Sequence, residues 1–169
     1  MNREDLQSLK ALVDGEKDWV AILANASAFI YDCLNNVNWV GFYRLQKDEL
    51  LLGPFIGHPA CIHLPLSQGV CAYAVQTGRL VNVPNVHMFS SHIACDSQTN
   101  SECVIPLEIN GSILGVLDID SPLINRFNEN DENILKEAAL IITKQLLFVI
   151  ALQKQIFILI YFYKERLLF

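Results

Sequence analysis

Basic residues are scarce in this chain: 12 Lys and Arg stand against 18 Asp and Glu, for a formal net charge of −6. That supply cannot build a face that neutralises a run of phosphates, which excludes a nucleic-acid footprint. Glycine-rich phosphate loops are missing as well. There is neither a Walker-type nor a dinucleotide-binding glycine pattern, and no Gly-x-Ser-x-Gly, so an ATPase, an NAD enzyme or a serine hydrolase has no support. Pairs of the Cys-x2-Cys or His-x3-His kind are absent. Cys61-x-His63 and His92-x2-Cys95 therefore remain a weak basis for a closed zinc site. Internal repeats, Gly/Ser linkers and low-complexity tracts are lacking. The first 17 residues are polar and acidic, without the apolar core of a signal peptide. The strongly apolar stretch 146–163 is interrupted by Gln153-Lys154-Gln155, short of the ~20 apolar residues of a spanning helix. A cytoplasmic protein with no membrane segment is the expectation.

What is present is a chain of 169 residues with 52% apolar content, one domain by length and able to bury a sizeable core. It carries five cysteines, an odd number that cannot all pair within one monomer. In a reducing compartment, clustered thiols point to catalysis or metal binding before cross-linking. Three of them sit in loaded contexts: Pro59-Ala60-Cys61, Gly69-Val70-Cys71 and His92-Ile93-Ala94-Cys95-Asp96.

Hydrophobic periodicity organises the chain. Leu6, Leu9 and Leu12-Val13 recur at helical spacing until Gly15. A second helix is expected over about 17–34, with Trp19, Ile22-Leu23, Ala26, Phe29-Ile30 and Cys33-Leu34 on its apolar stripe. The period then becomes two. Strands are expected at 38–45, 50–55, 61–66 and 80–83, with a short helix at 69–77 closed by Gly78. Residues 84–100 form a long polar loop, of the kind that is usually functional. Asn110-Gly111 marks a hairpin between strands at 102–109 and 112–120. Asn128, with Asp131 three residues on, caps a long last helix. Residues 1–152 form the domain, and 153–169 an apolar extension that continues the helix or ends irregularly. The pattern is α+β: an antiparallel sheet with helices on one face and loops on the other.

Chemistry concentrates on three strands and one loop. Trp39, Gly41 and Tyr43 alternate onto one face, two aromatics around a residue without a side chain. They form either a slot for an apolar group or small cation, or plain core packing. Asp118 and Asp120 share a face near a strand end. Side by side they raise each other's pKa and can hold an ammonium or a proton, or else they are a solvated strand end. Glu102, on the neighbouring strand, approaches them or is simply exposed. Cys95 is useful as a nucleophile only if partly ionised, which a neighbouring His favours and an acid opposes. A sulfenic acid on it would condense with a second thiol, and a third could pass the oxidation to an external dithiol; alternatively all three are inert. Cys33 and Cys103 read as core, the latter with Ile105 and Leu107. His58, His63 and His87 read as loop or surface residues.

Six segments, Asn38-Trp39-Val40-Gly41-Phe42-Tyr43, Leu52-Gly53-Pro54-Phe55, Gly69-Val70-Cys71, His92-Ile93-Ala94-Cys95-Asp96, Asn100-Ser101-Glu102 and Gly115-Val116-Leu117-Asp118-Ile119-Asp120-Ser121, together resemble the free methionine-(R)-sulfoxide reductases. The resemblance runs from the first helix to about Leu147. It implies a GAF fold, with a sheet of about six strands, terminal helices on one face and the ligand pocket on the other. By the same resemblance Cys95 is the catalytic cysteine, Cys61 the resolving one and Cys71 a third that assists recycling. Trp39 and Tyr43 enclose the substrate methyl group, while Glu102, Asp118 and Asp120 hold the substrate and supply a proton. The implied partners are free methionine-(R)-sulfoxide and thioredoxin as external reductant, with no metal and no bound cofactor. A homodimer through the apolar last helix is expected. Ala72-Tyr73 follows Cys71 where the family usually has Gly-Thr. The competing reading is a GAF module that binds a small molecule or senses redox state without turnover.

Overall fold

A computed structural model describes residues 1–90, 93 and 95–166, with side chains described up to residue 153. His92 and Ala94 of the loop motif lie outside the described residues, as do positions 167–169.

The chain folds as α1 (Arg3–Val13), α2 (Trp19–Cys33), β1 (Trp39–Gln46), β2 (Glu49–Ile56), β3 (His63–Pro65), α3 (Val70–Thr77) and β4 (Val81–Val83), then a single 3-10 turn, β5 (Ser101–Ile109), β6 (Ser112–Ser121) and α4 (Glu129–Arg166). Local chemistry accounts for the boundaries. Asn2 and Asp5 form a reciprocal capping box at α1, and Asp18 accepts from Val20 and Ala21 at α2. Asn128 Oδ1 accepts from the Asn130 and Asp131 amides while Asp131 accepts from the Asn128 amide. Each cap satisfies amides that the first helical turn leaves without partners. Asn110 and Gly111 both have positive φ, 50° and 78°, the combination a two-residue turn between twisted strands requires.

Six strands pair antiparallel in the order β3-β2-β1-β6-β5-β4. The N-terminal strand β1 thus lies between β2 and β6 near the centre of the sheet. Trp39 stands opposite Asp120 and Gly41 opposite Asp118, while Glu102 stands opposite Asp120 on the other side of β6. One face of the sheet packs Val40, Phe42, Cys103, Ile105, Leu107, Leu117 and Ile119 against α1, α2 and α4. Phe42, Leu117 and Ile119 are completely buried there, each worth about 1.5–3 kcal/mol relative to exposure. The other face packs Trp39, Tyr43, Val104 and Val116 against α3 and the loops.

Three expectations are corrected. The strand expected at 61–66 shrinks to His63–Pro65: the Ile62 carbonyl still accepts from the Leu52 amide of β2, but before it the chain leaves the ladder, where Cys61 is bonded to Cys95. Leu12 is 42% exposed while Leu6, Leu9 and Val13 are buried; the stripe of α1 is one residue narrower than its leucines suggest. Cys33 is only partly buried, since it sits in the last turn of α2 beside the chain's N-terminus, whose ammonium donates to its carbonyl at 3.0 Å. Among the described residues no helix is long and apolar enough to cross a membrane.

Candidate active site

On the loop-covered face a pocket opens between the sheet, α3, the loop at 58–60 and the loop residues Ile93, Cys95, Asp96 and Thr99. Its floor is Trp39, Tyr43, Glu102, Asp118 and Asp120, and its wall includes Cys71, Ile93 and Cys95. Its volume is about 40 Å³, beyond the ~10–15 Å³ that a single water needs.

Alternation along the strands puts the floor together. The register across β1, β6 and β5 brings Trp39, Asp120 and Glu102 into one row, with Gly41 and Asp118 in the next. Asp118 and Glu102 are each only 6% exposed, and Cys71 Sγ faces Glu102 Oε1 at 4.0 Å. Neither acid is the solvated strand-end or exposed strand residue that the bland readings offered. Burial pushes the Glu102 carboxyl well above its usual range, and the charges of Asp118 and Asp120 act the same way. Burial raises Asp118 to about 7, although hydrogen bonds with Cys71, Glu102 and the Ile119 backbone oppose the rise. Burial, then the charges of Asp118 and Asp96, lift Asp120, against a hydrogen bond from Thr99. The two aspartates do repel each other, as their spacing suggested, but desolvation is the larger cause. Near neutral pH this cluster therefore holds protons that ordinary carboxyl groups would have lost. Asp118 Oδ1 has no hydrogen-bond partner.

Cys61 and Cys95 are joined by a disulfide, with Cα atoms 5.5 Å apart. Cys71 is a buried free thiol, and burial plus the charges of Asp118 and Glu102 push its pKa well up. The metal-ligand spacings in the sequence are not the ones the fold assembles. Cys61 and Cys95 bond each other, His63 pairs with Glu49 on the surface, and His92 lies outside the described residues. Among the described residues the group with ligand-like geometry is Cys71, Glu102 and Asp118, whose ligand atoms lie within 4.8 Å of one another.

The aromatics do more than line the floor. Trp39 Nε1 donates to the His58 carbonyl at 3.2 Å, and Tyr43 Oη donates to the Cys61 carbonyl at 3.0 Å. Both therefore hold the loop that carries Cys61. Trp39 stacks on Tyr43 and on Phe55 at centroid distances of 5.9 and 5.3 Å. The space above Gly41 is not an open slot: a Cβ there would strike Phe55 and the Trp39 ring itself. Glycine at this position lets the indole lie flat across β1. The packing reading of these aromatics therefore holds, and the packed rings also line the pocket.

Sequence reasoning missed the residues that hold the Cys95 loop. Asn38 Nδ2 donates to Asp96 Oδ2 at 3.1 Å and to Thr99 Oγ1 at 3.3 Å, and His58 Nδ1 approaches Asp96 Oδ2 at 3.4 Å. Thr99 is buried. The available signal was the position of Asn38, directly before Trp39 on a strand that supplies the pocket floor. His58 is on the surface, as expected, yet it bridges the two thiol-bearing loops. Tyr73 is 48% exposed and meets Phe89 edge-on, so the bulky residue of Ala72-Tyr73 points away while Cys71 faces the pocket.

A six-stranded antiparallel sheet with terminal helices behind it and a polar pocket in front defines the chain's class: it is a GAF domain, and the GAF family matches residues 16–146. The chain is 46% identical to the free methionine-R-sulfoxide reductase of Escherichia coli (strain K12) over 131 residues, 78% of this chain and 79% of that protein. It superposes on the reduced form of fRMsr of Staphylococcus aureus with a TM-score of 0.81 at 47% identity, covering 85% of this chain and 93% of the other. A free methionine-R-sulfoxide reductase from Neisseria meningitidis, solved in complex with its substrate, matches with a TM-score of 0.81 at 42% identity over 85% of this chain and 86% of that one. This chain belongs to the family of free methionine-R-sulfoxide reductases.

Proposed function

We propose that this protein reduces free L-methionine-(R)-sulfoxide to L-methionine and is recycled by thioredoxin. The observation that carries the reading is the Cys61–Cys95 disulfide, with Cys95 on the wall of a pocket floored by buried acids. It is supported by the substrate named for the relatives, the free amino-acid sulfoxide.

In this reading the substrate ammonium meets Glu102, Asp118 and Asp120, and its methyl group meets Trp39 and Tyr43. The Cys95 thiolate attacks the sulfoxide sulfur while a protonated carboxyl gives its proton to the oxygen, and the sulfur–sulfur bond formed in the attack breaks again as that oxygen passes to the Cys95 sulfur. The S–O bond breaks, methionine leaves and Cys95 carries the oxygen as a sulfenic acid. The Asp118 carboxyl, raised to about 7, suits the donor role, since a general acid works best with its pKa near the working pH; Glu102 and Asp120 are raised as well. Cys61 then condenses with the sulfenic acid, releasing water and forming the disulfide. A thioredoxin dithiol reduces that bond by exchange, directly or through Cys71. No metal or bound organic cofactor enters this scheme. The reading extends to pairing of two copies through α4 and to a role in the cytoplasmic repair of oxidised methionine.

The test is thioredoxin-coupled NADPH oxidation with the free (R)-sulfoxide, the free (S)-epimer and a peptide-bound (R)-sulfoxide. Turnover is expected with the first alone, and Cys95→Ser should abolish it. Retained activity in that variant would sink the assignment. Failure of reduced, folded protein on all three substrates would favour a ligand-binding module instead.

A further inference from the structure

We propose that the acid pocket is also a binding site for a zinc-type divalent cation, held by Cys71 Sγ and one oxygen each from Glu102 and Asp118, and that an ion there excludes the substrate's ammonium group. This regulation rests on the proposed function for its second half; the metal site itself does not.

Three features support it. The three ligand atoms lie within 4.8 Å of one another, with Cys71 Sγ and Glu102 Oε1 at 4.0 Å. A tetrahedral ion with Zn–S of about 2.3 Å and Zn–O of about 2.1 Å asks for ligand atoms about 3.4–3.6 Å apart. The Cys71–Glu102 separation of 4.0 Å stands within about 0.5 Å of that requirement. Asp118 is 94% buried in the sense that 6% of its surface is exposed, and its Oδ1 has no hydrogen-bond partner. A buried unpartnered carboxylate oxygen carries an uncompensated desolvation cost, which a cation relieves. The donor set also discriminates. A thiolate with two carboxylates suits a borderline-soft ion such as Zn²⁺ and not Mg²⁺ or Ca²⁺, which take oxygen ligands only. Three protein ligands leave one coordination position for water. The Cys71 thiol gives its proton to solvent as its sulfur–metal bond forms.

The Cys61–Cys95 disulfide separates this site from redox chemistry, because in the oxidised protein those two sulfurs cannot ligate. Among the three thiols left, Cys103 lies on the opposite face of the sheet and Cys33 at the end of α2.

The experiment is a titration of the oxidised protein, checked for three remaining thiols, with cobalt(II) chloride. Thiolate-to-cobalt absorption in the near ultraviolet should rise to one equivalent, and Cys71→Ser should remove it. Asp118→Asn keeps the thiol, and should weaken binding by at least about tenfold; this guards against a fold defect peculiar to the serine variant. L-Methionine should displace the ion, lowering the band, and zinc should inhibit the reductase competitively with the sulfoxide. No band in the wild type, or an equal band in Cys71→Ser, overturns the site. A band that methionine leaves unchanged overturns the exclusion of substrate. Turnover of the sulfoxide with no cobalt band removes this inference alone. A Cys71-dependent band in a protein that turns over no sulfoxide removes the proposed function and leaves the metal site standing.

Discussion

The two faces of one sheet differ in what their side chains cost. Behind the sheet, Val40, Phe42, Cys103, Ile105, Leu117 and Ile119 meet helices, and each gains by leaving water. In front, their immediate neighbours Trp39, Tyr43, Glu102, Asp118 and Asp120 floor a pocket, and burial there drives carboxyl pKa values upward. The strand period of two separates them: Trp39, Gly41 and Tyr43 of β1 face the pocket side, and Val40 and Phe42 the core. Stability and chemistry are thus supplied by adjacent residues on the same strands, and the front face is a liability that the back face offsets.

The largest expected effect breaks the back face. Phe42→Ala should lose about 3–5 kcal/mol, measured by urea unfolding, with the pocket residues untouched in sequence. A loss below about 1 kcal/mol would mean that the helix-covered face does not carry the fold. On the front face, Asp118→Asn should lower kcat/KM about 100-fold while leaving unfolding at acid pH nearly unchanged. Its stability effect is a matter of slope. Asp118 has a folded-state pKa near 7 against an ordinary value of about 3.9. Its contribution is full below the ordinary value and is lost as pH rises through about 7. Wild-type stability should therefore fall across that window, and the asparagine variant should fall less. Equal slopes would place the carboxyl in water. The smallest effect sharpens the contrast: Asn128→Ala removes a helix cap behind the sheet, should cost about 1 kcal/mol, and should leave KM unchanged. A changed KM would show that α4 and the pocket are coupled through the sheet.

Much of this division was legible in the sequence. The alternation in β1 and β6, the Asn110-Gly111 hairpin and the Asn128 cap are local, and local chemistry sets them. The grouping of Glu102 with Asp118 and Asp120 followed from the hairpin, since β5 and β6 are consecutive. What was not legible depends on contacts distant in sequence. β1 pairs with β6 across some eighty residues of chain, and no local pattern announces that pairing. Loops 57–62 and 93–99 have no period of their own, so the strand expected at Cys61 was drawn from side-chain type alone. Their anchors, Asn38, His58 and Thr99, became visible only once the fold had set them beside Asp96. The sequence left Gly41 open between room for a ligand and plain packing, and only the fold shows that the Trp39 ring occupies that room.

A final consequence lies in β1 and the residue before it, since Asn38, Trp39 and Tyr43 fasten both thiol-bearing loops. Were this strand to pair one residue out of register, Phe42 and Val40 would turn toward the pocket and Trp39 and Tyr43 toward the helices. Both loops would lose their moorings in the same event that ruined the core. A slip of β1 is therefore not silent: the copy whose thiols it misplaces is also a copy that fails to fold, and quality control of the fold then doubles as quality control of the chemistry.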